Sequence, residues 1–236
     1  MERYFYQANA VGFSGHIRRP FDKLIKAQAS SALPSSGGFH RSRVHKFCHE
    51  GLVRFDLAET VVTGSASADG NSFDTLSSAV VENLNILGQV TADRVVGHMT
   101  SHYVRGRRYP VITALGSRFE GLRIAGQSID VDLCRSEQGQ ALGKEPSEEP
   151  SEEQDREQRD LPVLTSLVTD LPEICDSAVS GNRIAIPQFG RIHLAEYLIT
   201  PFSRRLIMIR LELGSPMEND SSVCDIEGGG GPFPPG

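Results

Sequence analysis

The stretch from Phe119 to Leu133, FEGLRIAGQSIDVDL, decides the fold class. Leu122 and Ile124 flank Arg123. Beyond the polar AGQS, Ile129, Val131 and Leu133 alternate with Asp130 and Asp132. Successive side chains of a strand point to opposite faces, so a period of two marks a half-buried strand. Two such runs joined by a short Gly-containing segment read as a β-hairpin, with Gly126 free to adopt positive φ in the turn. The pattern predicts Leu122, Ile124, Ile129, Val131 and Leu133 in a core, with Arg123, Asp130 and Asp132 facing out.

The same period recurs on both sides of the hairpin. LVRFDLAETVV (52–62) places Val53, Phe55 and Leu57 on one face, with a change of register near Glu59. The run from Ser77 to Val104 reads as two strands or one bulged strand, with Gly88 as the irregularity, while VENLNIL within it also has the length of a short helix. NRIAIPQFGRIHLAEYLIT and SRRLIMIRLELG resume alternation, and the apolar run Leu206–Ile209 suits a strand buried on both faces. One segment breaks the rule. Val163, Leu164, Leu167, Val168 and Leu171 have helical spacing between two prolines and predict one short helix.

The expectation is therefore an all-β chain, a single sandwich-like or open-barrel domain of about seven to nine strands by the usual spacing of short strands. Residues 1–44 read as a basic N-terminal arm and linker, ending near the Ser/Pro/Gly cluster SSALPSSGGF. Residues 45–135 and 161–216 form the two parts of the β domain. Between them, 136–160 reads as a disordered acidic insert, because Glu, Ser, Pro and Gln cannot bury enough apolar surface to offset chain entropy. Residues 217–236 read as a disordered Gly/Pro tail.

The net charge of −6 is unevenly spread. Lys144 to Asp160 holds eight acids against three bases, whereas residues 1–54 hold nine Lys/Arg against three Asp/Glu. A basic quarter of this kind is either a solvated surface or a face for an anionic partner. The basic–aromatic interleaving of a nucleic-acid platform is missing, so nucleic acid is not expected. Met1–Phe21 has no apolar run after a basic start, and no run of about 18 apolar residues occurs anywhere. Cytoplasmic placement without a membrane span is the default expectation. The four cysteines are widely spaced with no CxxC pair, and free thiols are expected.

The order of these segments resembles the β-rich module of the choice-of-anchor P family. The shared features are an NLNIL run leading to VTAD, a GSxFxGLxIxGQ hairpin, a GxIxL strand and a last apolar strand ending in LxLG. Asn83, Asn85, Thr91, Ala92, Asp93, Gly116, Ser117, Phe119, Gly121, Leu122, Gly126 and Gln127 are the matching positions. The likeness covers about residues 55–133 and 184–214. It implies an all-β domain of bacterial surface or secreted proteins with no established activity. This chain departs from the pattern in its acidic insert, and in having no visible signal peptide or apolar anchor.

Candidate chemistry is sparse. His45, Cys48 and His49 in HKFCH offer zinc ligands at workable spacing, but a structural site needs four ligands and no second cluster is evident. HEGLV has Val53 where a zinc-protease helix needs its second histidine, and there is no GxSxG elbow, Walker loop or dinucleotide fingerprint. Asp130 and Asp132 would share a strand face and could serve as an acid/base pair or bind calcium. A solvated hairpin face is the commoner origin of such a pair. Arg105, Arg107 and Arg108 in RGRRYP form a basic loop suited to phosphate or an acidic glycan. The leading expectation is a non-enzymatic structural or interaction module with a protein partner or self-association. The alternative is a carbohydrate- or small-ligand-binding β domain using the Arg105–Arg108 loop or Asp130/Asp132. The third is a metal-dependent enzyme, with zinc at His45, Cys48 and His49.

Overall fold

The computed structural model describes residues 4–17, 23–134, 162–174, 177–213 and 220–232. These form β1 (Tyr4–Ile17), β2 (Lys23–Ala32), β3 (Gly38–His49), β4 (Val53–Ala66), β5 (Ser72–Ile86), β6 (Val90–Val104), β7 (Val111–Thr113), β8 (Arg118–Glu120) and β9 (Arg123–Ile124). They continue as β10 (Gln127–Ser128), β11 (Asp132–Leu133), β12 (Val163–Ser166), β13 (Val168–Asp170), β14 (Ala178–Ser180), β15 (Arg183–Ile186), β16 (Gly190–Ile199), β17 (Ser203–Leu213) and β18 (Asp220–Pro232). All pairing is antiparallel, and no helix occurs among the described residues.

Two sheets face each other, and neither closes into a barrel. The first runs β14-β15-β16-β17-β18-β1-β2, with β12 also on β16. The second is the meander β3-β4-β5-β6. Its far edge is closed by β7, β8 and β9, which run back along β6 one after another. Between β7 and β8, the Ser117 hydroxyl accepts from the His98 amide and donates to its carbonyl, both at 3.0 Å, so the ladder is bridged by a side chain. A small third sheet pairs β11 with β13.

The opening hairpin forms over a shorter span than its spacing predicts: β9 pairs with β10, Ile129 still donates to the Leu122 carbonyl, and beyond it the expected second arm leaves the hairpin, Leu133 pairing with Val168 instead. Ile124 pairs with Gln127 across the two-residue turn Ala125–Gly126. Both turn residues have positive φ, 50° and 80°, as a type I′ turn requires. Leu122, Ile124 and Ile129 are buried, while Val131 and Leu133 pack partly against the core. Arg123, Asp130 and Asp132 are exposed.

Three expectations are corrected. The basic arm is sheet: β1 lies between β18 and β2, and Ala8, Ala10 and Phe13 are in the core. The helix at Val163–Leu171 is instead β12 and β13. Val163 to Ser166 pair with Ile199 to Glu196, and a partner strand satisfies their backbone while leaving Val163 and Leu164 exposed. Most of the Gly/Pro tail is β18, the strand between β17 and β1. Its glycines lie where side chains do not fit. A Cβ on Gly229 would approach the Ser203 backbone at 2.7 Å, and one on Gly231 would meet the Phe202 ring at 2.9 Å. The acidic insert at 136–160 lies outside the described residues.

The sheets approach closely because small residues line the contact. A Cβ on Gly12 would sit 2.9 Å from that of Ala58. Side chains of one sheet bond across to the other: Ser31 Oγ meets Thr60 Oγ1 at 2.8 Å, Ser77 donates to the Glu227 carbonyl at 2.5 Å, and the Cys224 thiol donates to the Val95 carbonyl at 3.4 Å.

Each sheet carries a transverse crease. In the first, the register aligns Ala29, Gly12, Cys224, Met208 and Ala195 in one row, and Ala29, Cys224 and Ala195 are left-handed. There two successive residues point inward, as in Val223–Cys224, Met208–Ile209 and Leu194–Ala195. In the second, Lys46, Asp56, Asn83, Asp93 and Gly121 align, with Lys46, Asn83 and Gly121 left-handed. Here two successive residues point outward, as in Asp56–Leu57 and Asp93–Arg94. Paired strands turn over together, so the register carries through the crease row, while the inward face of every strand changes phase; the β1–β2 ladder slips by one residue just beyond it, between Phe13 and Gly15. This is the register change expected near Glu59. It falls at Asp56, and it puts Leu57 on the opposite face from Val53 and Phe55. In the second strand pair the irregularity is at Asn83 and Asp93, and Gly88 lies in the turn.

Candidate functional site

The expected metal cluster is not assembled. His45 and Cys48 are exposed on β3, the edge of its sheet. Lys46, left-handed at φ 54°, turns the strand over between them. His49 is half-buried, stacked on Phe47 with ring centroids 6.4 Å apart. Among the described residues no three His, Cys, Asp or Glu side chains are placed to hold an ion. Asp130 lies outside any strand and Asp132 opens β11 opposite Asp170. The two aspartates are exposed, and no continuous strand aligns them.

Two polar groupings stand out from the rest. The first lies on the outer face of β16 and β17. His193 and Glu196 are three apart, which in a regular strand puts them on opposite faces. The crease at Ala195 brings both outward. His193 Nδ1 is 3.2 Å from Glu196 Oε1, and its Nε2 is 3.2 Å from Glu212 Oε1. Arg210 spans both acids, at 2.5 Å from Glu196 Oε2 and 2.6 Å from Glu212 Oε1. The Glu196 side chain is only 9% exposed. Burial by itself raises a carboxyl pKa, but hydrogen bonds from Arg210 and His193 outweigh it and hold Glu196 down at about 2. The carboxylates and Arg210 engage one another, while His193 Nε2 is close to Glu212 without a hydrogen bond among the described residues, and the group pins the two strands at their crease.

The second grouping lies at one end of the sandwich, where β1 and β17 begin and β6 and β18 finish. Tyr4 stacks on Phe73 with centroids 4.3 Å apart, and Tyr103 lies 5.2 Å from Tyr4. Arg105 covers Phe73 at 5.7 Å and donates to the Gly70 carbonyl at 3.2 Å. Next to this, Tyr109 meets Phe202 at 5.5 Å, and Arg108 lies over Tyr109 at 5.1 Å. Phe202 sits at the tip of the β16–β17 turn. That turn is closed by Thr200 and Ser203 hydrogen bonds, and Arg204 also donates to the Thr200 carbonyl. The ring lies against Gly231 yet stays 44% exposed.

Cations gather at this end. Among the described residues Arg105, Arg107, Arg108 and Arg204 meet no carboxylate, as is also true of Arg54, Arg123 and Arg183 elsewhere, whereas Arg41, Arg43, Arg94, Arg118, Arg191, Arg205 and Arg210 each meet one. The acids at this end are already engaged, Asp69 with Ser67 and Asn71, and Asp74 with His102. Among the described residues the Tyr4 hydroxyl, Ser101 Oγ and Arg204 Nε are buried polar atoms without a hydrogen-bond partner, an uncommon state for native groups. Burial lowers the Arg204 pKa, the sign of a cation removed from water without a counter-charge.

The basic loop at Arg105–Arg108 and Tyr109 beside it were legible in sequence, but the other aromatic companions were not. Tyr4, Phe73 and Phe202 come from three distant segments, and only the strand order brings them to Tyr103 and Tyr109, which flank the loop. His193, Glu196, Arg210 and Glu212 were missed for a related reason, since strand periodicity assigns His193 and Glu196 to different faces.

Fold and site together define an all-antiparallel β-sandwich domain with an aromatic, arginine-rich end. The chain belongs to the family described as Domain of unknown function (DUF8256), whose model matches residues 4–153. That span takes in β1 to β11, whereas β12 to β18 lie beyond it. No curated protein matches the chain, and no solved structure does.

Proposed function

We propose that this chain is a non-enzymatic interaction module that engages an anionic partner, protein or polysaccharide, through the aromatic, arginine-rich end of its sandwich. The observation that carries this reading is the gathering of Arg105, Arg107, Arg108 and Arg204 without carboxylate partners beside the exposed Phe202. Unpaired cations near half-buried rings recruit negative charge from outside, and their field steers it there. The groups best suited to acid–base chemistry are engaged with each other instead: His193 with two glutamates, His102 with Asp74.

The test is binding of the intact chain to immobilised polyglutamate and polygalacturonate, compared with a Phe202→Ala/Arg108→Glu double variant. Saturable binding to at least one polyanion, weakened by added salt and by the double variant, is expected. Binding to neither, or equal binding by the variant, overturns the reading.

A further inference from the structure

We infer that the ligand of this end is an anionic saccharide, its ring lying on Phe202 and its acid group meeting Arg108. This rests on the interaction-module reading above and narrows it. An acidic peptide would satisfy the arginines through its carboxylates, but would reach Phe202 only through a separate side chain. A sugar does both in one unit: its axial C–H face packs on an aromatic ring, while its oxygens reach outward to hydrogen-bond donors.

The platform is fixed in place before any ligand arrives. Thr200 Oγ1 accepts from the Ser203 amide at 3.0 Å and meets Ser203 Oγ at 2.9 Å, which closes the turn carrying Phe202. Gly230 donates its amide to the Phe202 carbonyl at 3.0 Å. The ring packs beside Gly231, where a Cβ would come within 2.9 Å of it. Little side-chain freedom remains to be lost on binding, which favours affinity from a small contact. Tyr109 props the second edge of Phe202 and brings Arg108 with it. The cation and the platform thus share one aromatic neighbour, Tyr109, whose ring lies 5.5 Å from Phe202 and 5.1 Å from the Arg108 guanidinium. Arg107, exposed in the same turn, extends the positive charge along the surface. An open platform of this kind suits one unit of a polymer chain rather than an enclosed small molecule.

The acid group of such a sugar is a carboxylate or a sulfate, and two ligands separate these sources. Isothermal titration of the intact chain would use a short oligogalacturonate and a heparin-derived tetrasaccharide. The methyl ester of the first and the desulfated form of the second serve as neutral controls. Saturable binding of at least one acidic ligand is expected, at least ten-fold tighter than its neutral control. Phe202→Ala and Arg108→Ala should each weaken it at least five-fold with an unchanged melting temperature, which shows the fold is kept. Equal affinity for the neutral control, or no effect of either substitution, overturns the inference. Binding of polyglutamate without either saccharide also overturns it and leaves the broader reading standing; binding of none of these ligands removes both.

Discussion

Glu196 shows how a single charge is held on an otherwise ordinary strand. Its carboxyl is held at about 2, against an ordinary 4.5, by Arg210 and His193. A folded-state pKa below the unfolded one contributes stability that is complete above 4.5 and is lost as pH falls from 4.5 towards 2. Glu212 is lowered by the same Arg210, against its own burial, and adds in the same direction. The urea midpoint should therefore fall steeply over that window, and Glu196→Gln should flatten the slope. At neutral pH that variant should lose about 2 kcal/mol, because it leaves Arg210 and His193 with a weaker partner. An unchanged acid profile in the variant would show that the network contributes nothing. Cys224 is the second residue whose environment dictates its chemistry. It has no exposed surface, and burial pushes its thiol up to about 12. A thiol reagent at mildly alkaline pH should label the exposed Cys48 quickly and Cys224 only after unfolding, as peptide mass mapping can read.

At the level of the strands, the creases explain both what the sequence shows and what it hides. Alternation on either side of each crease is plain in β4, β5, β6, β16 and β17, which is why those strands and the hairpin at Ala125–Gly126 are legible, whereas β1, β2 and β18 are not. The crease itself is one residue per strand, and its left-handed members include Ala29, Lys46 and Ala195, which carry no turn signature. Only Asn83 and Gly121 are residue types that commonly take this conformation. A reading by period therefore runs straight through Asp56 and puts Leu57 inside. Left-handed backbone costs of order 1–3 kcal/mol for an ordinary residue, so its recurrence in both sheets needs compensation. The nesting of the two creases supplies it. The inward row of the first sheet packs on the second: Cys224 bonds the Val95 carbonyl, a Cβ on Gly97 would lie 3.4 Å from the Cys224 Cβ, and Gly12 lies against Ala58. Two substitutions test this from opposite sides. Lys46 is exposed, so Lys46→Gly loses no packing and should raise stability by about 0.5–1 kcal/mol in chemical denaturation. Gly12→Val drives methyl groups into Ala58 and the Gln28 carbonyl and should cost about 2 kcal/mol or more.

On the scale of the whole molecule, the sandwich depends on a long-range closure. β18 pairs with β1 from Tyr4–Pro232 to His16–Asp220, and with β17 on its other side. Without β18 the first sheet divides into the hairpin β1–β2 and the group β12 and β14 to β17. The Gly-rich composition that suggests disorder in isolation is what allows β18 to lie between Phe202, Ser203 and the β1 backbone, so its strand character follows from its neighbours rather than from its own propensity. This sets a specific expectation for the span matched by the family model. A fragment of residues 4–153 retains the β3–β6 meander and the β1–β2 hairpin. It loses Leu206, Met208, Val223, Cys224 and Ile226, all with no exposed surface in the intact chain. The inner face of β6, including Val95 and Met99, would then lie open to water, and a hairpin covers too little apolar surface to replace the missing strands. The fragment should show a poorly dispersed amide spectrum and no cooperative thermal transition, and adding a separate fragment of residues 162–232 should restore dispersion. A well-dispersed, cooperative fragment on its own would place the folding unit within the first sheet pair and make β12 to β18 an accessory to it.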